Sequence, residues 1–176
     1  MTTRSRFALA GMATLAAALV MTSSGVAAQQ GRPNIDNIVR QFHINYSNNQ
    51  VEKNGELVAD DIVVELNGGA SSKPNGATFR GRDQFVNWLK HDKVVFPDGK
   101  ITDQEVIVSG NKAAIRFTLN ATHGGPLPTP NGPLAATGRK VVIQATEFFT
   151  FNDAGKLVHL ETLTNDLGAF TQLTAK

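Results

Sequence analysis

The chain has 176 residues, 41% of them apolar, which suffices for one domain with a buried core and argues against a wholly disordered chain. It has no cysteine, which excludes a disulfide scaffold, a thiol nucleophile, a zinc knuckle and a lipid-bearing lipoprotein cysteine. The net charge of +2 comes from Arg4 and Arg6; beyond residue 28 the chain balances 15 basic against 15 acidic residues, without the clustered positive excess that a nucleic-acid partner requires.

Arg4 and Arg6 precede an Ala-rich apolar run, Phe7 to Met21, that is too short to span a bilayer comfortably. Val26-Ala27-Ala28 then offers the small residues that signal peptidase needs, so cleavage is expected before Gln29. Residues 1–28 read as a signal peptide and residues 29–176 as a single domain, exported to the periplasm or secreted and free of the membrane after cleavage.

Asn34 stands where a helix N-cap is expected, and Ile35, Ile38, Val39, Phe42 and Tyr46 follow at helical spacing until Asn48-Asn49. Asp60-Asp61 reads as a solvated turn before a short strand, Ile62 to Leu66. A Gly-, Ser- and Asn-rich loop from Asn67 to Gly76 leads to a second amphipathic helix, Asp83 to Lys93, with Phe85, Trp88 and Leu89 on one face. The Lys-His-Asp-Lys run at residues 90–93 reads as its exposed end.

After Pro97-Asp98-Gly99 the apolar period changes to two. Strands are expected at Ile101 to Val108 and Lys112 to Thr122, joined by the turn Ser109-Gly110-Asn111, with Ile115, Phe117 and Leu119 on one face. His123 to Gly138 contains four prolines and four glycines and cannot be regular structure. Arg139 to Phe151 and Lys156 to Thr164 are strands across the turn Asn152 to Gly155, and Leu167 to Leu173 is a short terminal helix with Asp166 as its N-cap. Helices followed by an antiparallel meander give an α+β plan: a curved sheet wraps a helix layer and leaves a concave mouth for a small ligand.

Several ordered features carry a family resemblance: Phe79-Arg80-Gly81-Arg82-Asp83, Phe96-Pro97-Asp98, Ala121-Thr122-His123-Gly124-Gly125, Thr137-Gly138-Arg139, Phe151 to Leu157, and Asn165-Asp166-Leu167-Gly168 with Gln172-Leu173. In this order the chain resembles the SnoaL-like polyketide cyclases, within the nuclear-transport-factor-two-like superfamily. The resemblance implies a conical curved antiparallel sheet around N-terminal helices, an apolar pocket, a homodimer through the sheet, and intramolecular aldol chemistry without metal or cofactor. It places the family's catalytic acid at Thr162 and two pocket polar residues at Thr146 and Phe148. Threonine cannot act as a base near neutral pH and phenylalanine carries no proton, so the departure falls on the chemistry while the scaffold is kept.

On the last strand Val158, Leu160, Thr162 and Thr164 share one face, and Leu157, His159, Glu161 and Leu163 the other. The resemblance turns the first set toward the pocket, leaving His159 and Glu161 on the outer face; the opposite direction would make them an acid/base pair. The candidate catalytic groups are Glu161, Glu65 and His123, with a loop-anchoring role as the alternative for His123 and a solvated strand end for Glu65 and Asn67. The candidate ligand-binding residues are Gln144, Thr146, Phe148, Thr162, Phe117, Trp88 and Tyr46, the last two also readable as core, and no metal site is expected. Two functions follow: a cofactor-independent cyclase or isomerase acting on a small apolar or polyketide-like carbonyl compound, or a non-catalytic binding protein for a small hydrophobic molecule.

Overall fold

A computed structural model describes residues 33–68 and 76–175. Residues 1–28, read above as a signal peptide, and residues 69–75 of the Asn67 to Gly76 loop lie outside the described residues. No described helix is long and apolar enough to cross a membrane.

The elements are α1 (Ile35–Ser47), α2 (Val51–Asn54) with a 3-10 turn (Gly55–Leu57), β1 (Val58–Asn67), β2 (Ala77–Arg80), α3 (Arg82–Val95), β3 (Lys100–Ser109), β4 (Lys112–Thr122), β5 (Lys140–Phe151), β6 (Leu157–Thr164) and α4 (Asp166–Thr174). The expected α+β plan is present as one six-stranded sheet in the order β2-β1-β6-β5-β4-β3. The meander from β3 to β6 is antiparallel, whereas β1 runs parallel to β6 at its far side, so the sheet is mixed. Closing the meander against β1 places the first and last strands of the chain side by side.

Local chemistry explains the boundaries. Asn34 Oδ1 accepts from the Asn37 backbone N–H at 3.1 Å, satisfying one of the free donors at the start of α1. Gly110 (φ 61°) and Gly155 (φ 73°) supply the left-handed residue in each of the two hairpin turns. Asp60-Asp61 lies within β1, where the pairing with β6 shifts register between Val58 and Val63, rather than in a turn before it. Asn165, not Asp166, caps α4: its Oδ1 accepts from the Gly168 N–H at 3.0 Å.

α1 packs on β3 and β4, α3 on β1, and α4 on β5. The helix layer meets the sheet through Phe42, whose ring centroid is 5.5 Å from that of Phe85 and 5.9 Å, edge-on, from that of Phe149. Each such pair adds about 0.5–1.5 kcal/mol beyond its buried area. Phe85, Ile115, Phe149, Phe151 and Leu160 are buried at this contact, and a space opens toward α4.

Candidate functional site

That space is a cavity of about 440 Å³ between the inner sheet face, α1, α3, α4 and the loop at residues 127–131. Leu167 and Phe170 of α4 line it yet are 79% and 45% exposed, which marks its mouth. Phe42, Tyr46 and Leu89 are almost wholly buried and form its inner end. Gly99 lies beneath: a Cβ there would stand 3.0 Å from Tyr46 Oη and 3.1 Å from Leu119 Cδ1, so the missing side chain makes room for the tyrosine hydroxyl.

Besides Thr162, two polar groups break the apolar inner wall. The first is Glu147 of β5, 6% exposed, lining the cavity. Its Oε2 is 3.0 Å from His43 Nε2, and His43 Nδ1 is 2.5 Å from Asp103 Oδ1 on β3. Burial of His43 disfavours its charge, but the hydrogen bonds and negative charges of Asp103 and Glu147 outweigh that, raising its pKa to about 9. At neutral pH His43 is therefore an imidazolium donating from both nitrogens, and Glu147 Oε1 has no hydrogen bond among the described residues. The two carboxylates sit on opposite edges of the ring and do not converge on one point; the described residues contain no group of three side chains able to hold a metal ion.

The second is a pair: Tyr46 of α1 donates from its hydroxyl to Asp92 Oδ2 of α3, and both residues line the cavity. Burial raises the Asp92 pKa, and the nearby Glu147 charge adds to this. Tyr46 is pushed up by burial, then by the charge of Asp92 and the hydrogen bond to it. Lys93 Nζ lies 4.2 Å from the Tyr46 ring centroid, outside the cavity lining, and donates to the Gly99 carbonyl at 3.0 Å. The arrangement sets a carboxylate acceptor on the sheet near a hydroxyl–carboxyl pair on the helices, within an apolar enclosure.

Of the residues singled out in the sequence, Tyr46, Trp88, Phe117 and Thr162 line the cavity. Thr162 lies opposite Glu147 in the β5–β6 register, so the position that the resemblance gives to an acid has its carboxylate one strand away. Gln144, Thr146 and Phe148 do not line it: Gln144 is exposed, Thr146 half-buried and Phe148 45% exposed, and all three lie on the outer sheet face. The expected register on β5 was off by one residue, which turns every side chain to the other face. Ile143, Ala145 and Glu147 take the inward positions.

Glu65, His159 and Glu161 also lie on the outer face, in the open of the two readings that makes them structural. Glu65 and Glu161 are register partners across the parallel pair. His159 Nε2 is 3.4 Å from Glu65 Oε1, and Glu161 Oε1 accepts from Asn67 Nδ2 at 2.7 Å. Neither carboxylate reaches the cavity, which removes them as candidate bases for a ligand bound there. His123 points inward, as its parity requires, but is fully buried outside the cavity lining. Its Nδ1 accepts from the Thr137 N–H at 3.2 Å, and its own N–H and C=O pair with Arg139 and Gly138, so it anchors the loop between β4 and β5.

His43, Asp92, Asp103 and Glu147 escaped the sequence reading. Signals for two existed. His43 falls on the apolar stripe of α1 beside Val39, Phe42 and Tyr46. Glu147 is the one charged residue in the alternation Val141, Ile143, Ala145, Glu147, Phe149, Phe151. A charge at a core position of a strand needs a partner, and a histidine on a core stripe is a partner of the right kind.

Comparison with known proteins now adds to this geometry. A family model described as SnoaL-like domain matches residues 39–160. A candidate SnoaL-like polyketide cyclase from Jannaschia sp. CCS1 superposes with a TM-score of 0.69 at 16% identity, covering 82% of this chain and 94% of that one. IdmH, a candidate polyketide cyclase from Streptomyces antibioticus, gives a TM-score of 0.64 at 22% identity, covering 80% and 98%. A protein from Catenulispora acidiphila with a ketosteroid isomerase-like fold gives 0.60 at 14% identity, covering 81% and 93%. At these identities the solved structures establish the fold alone, a curved α+β cone.

Proposed function

The chain belongs to the SnoaL-like domain family, and from that premise we propose that it is a cofactor-independent cyclase or isomerase acting on a small apolar or polyketide-like carbonyl compound. One observation carries the reading: a buried carboxylate, Glu147, opens into an apolar cavity near the Tyr46–Asp92 pair. Glu147 Oε1 takes a proton from the carbon next to the ligand carbonyl, and the C–H electron pair forms the enolate. The developing oxygen charge is met by the Tyr46 hydroxyl, which burial keeps protonated and which turns from Asp92 to the ligand oxygen. Attack of the enolate carbon on a second carbonyl of the same molecule forms the new C–C bond, and the proton on Glu147 returns to the alkoxide oxygen. Return of that proton to a different carbon is isomerisation instead.

His43 holds Glu147 in place through Oε2, while Asp103 fixes the imidazolium from its other side. General-base catalysis of this kind contributes about 10²–10⁴-fold. The test is solvent hydrogen–deuterium exchange at the methyl group of 2-acetylnaphthalene, followed by NMR. The wild-type protein accelerates exchange over buffer, and Glu147→Gln loses at least roughly a hundredfold of that acceleration. Exchange no faster than in buffer, or unchanged in E147Q, contradicts the reading.

The threonine at position 162 favours a second reading, a binding protein for a small hydrophobic ligand, since the resemblance expects an acid there. A small molecule that co-purifies unchanged, identified by mass spectrometry, together with no exchange activity, would select it. Export belongs to the same proposal and is tested by sequencing the N-terminus of the exported protein, expected at Gln29. So does a homodimer: Phe148 and Leu163, 45% and 41% exposed on the outer face, are apolar area that a second copy would cover, and sedimentation measures the mass.

A further inference from the structure

The inner end of the cavity is charged in one sense only. Asp92 and Glu147 face it, and no lysine, arginine or histidine of the described residues lines the cavity. His43 is taken up by Glu147 Oε2 and by Asp103, which Arg40 Nη1 also meets at 3.6 Å, and neither cation lines the cavity. Glu147 is buried, and its Oε1 makes no hydrogen bond within the described residues, so an acceptor stands ready for a donor that the protein does not itself supply. The surrounding walls present the faces and edges of Phe42, Tyr46, Trp88, Phe96 and Phe117, groups that attract cations as well as apolar surface.

We infer that the cavity selects its ligand by charge: it favours an apolar compound bearing a protonated amine, accepts the uncharged counterpart, and excludes the corresponding carboxylate. An ammonium group at the inner end would donate to Glu147 Oε1 while its carbon skeleton fills the apolar space. Glu147 is held away from bulk water before any ligand arrives, so most of the cost of removing that charge from water is already met in folding. A carboxylate brought to the same place meets like charge in a poorly screened environment and finds no cation to pair with. This goes beyond the proposed chemistry and does not depend on turnover, since it concerns only which head group the cavity holds.

The experiment compares three ligands with one skeleton: 2-naphthylmethylamine, 2-acetylnaphthalene and 2-naphthoate. Each is titrated into the wild-type protein at pH 7 and low salt by calorimetry. The expected order is amine, then ketone, then carboxylate, with at least tenfold between the first and the last. Glu147→Gln should cut amine affinity about tenfold and so narrow the gap between amine and carboxylate. Because E147Q also touches His43, Asp92→Asn serves as a second variant; it should strengthen naphthoate relative to amine. Naphthoate binding as tightly as the ketone, no binding by any of the three, or an order unaltered in both variants would overturn the inference. Failure of the enolisation reading looks different: the order of affinities would stand while deuterium exchange stayed at the buffer rate.

Discussion

Replacing His43 by glutamine probes the one charge that organises the inner end of the cavity. In the unfolded chain this histidine has an ordinary pKa of 6.5; in the fold it rises to about 9, with Asp103 and Glu147 overcoming the cost of burial. At about 1.4 kcal/mol per pKa unit, the difference corresponds to roughly 3 kcal/mol of stability. Because the folded pKa is raised, this contribution is fully present below pH 6.5, declines between 6.5 and 9, and is gone above that. Stability of the wild-type protein should therefore fall by about 1.4 kcal/mol per pH unit across the window, from this group alone. Glutamine fits between the carboxylates without carrying a proton, so H43Q should be less stable at pH 6 and lack this slope. Urea denaturation at pH 6, 7.5 and 9.5 measures both proteins. Parallel stability–pH curves for the two would refute an imidazolium between Asp103 and Glu147.

Three further outcomes follow from the geometry. Tyr46→Phe removes the donor to Asp92 and leaves a buried carboxyl without its partner, which should cost about 1–3 kcal/mol in urea denaturation and leave the far hairpins intact by hydrogen exchange. His123 behaves oppositely to His43: burial lowers its pKa, so its contribution is present above pH 6.5 and lost on acidification, and thermal melts between pH 7.5 and 5 should fall more for wild type than for His123→Asn. Glu65→Gln and Glu161→Gln, on the outer face, should leave deuterium exchange of 2-acetylnaphthalene within twofold of wild type.

The apolar alternation of β4 and the spacing of α1 made those elements legible to within a residue or two, because both are dominated by which face meets the core, whereas β1 begins four residues before the expected Ile62 and α2 had no period to show it. β2, four residues long, and the parallel β1–β6 pairing were not legible, since a short strand has little period and parallel pairing joins parts far apart in sequence. For the site, strand parity turned Phe117 and Thr162, and helical spacing turned Tyr46 and Trp88, to the side that lines the cavity. The acid/base group was missed because the resemblance fixed β5 one residue out, whereas its own alternation already set Glu147 among Ala145, Phe149 and Phe151. Asp92 was hidden in a run of charges at a helix end, where Lys90 and His91 are exposed while Asp92 and Lys93 turn to Tyr46. Asp103 alternates with the mostly exposed residues of β3 and shows its partner only once α1 has packed across that strand.

A crystal structure with 2-acetylnaphthalene bound bears most directly on whether the inner end of the cavity is the reaction site. The account predicts the methyl carbon within about 3–3.5 Å of Glu147 Oε1 and the carbonyl oxygen turned toward Tyr46 and Asp92. A ligand seated at the α4 mouth with its carbonyl facing Thr162 or solvent, or bound on the outer face beside Glu161, would contradict it.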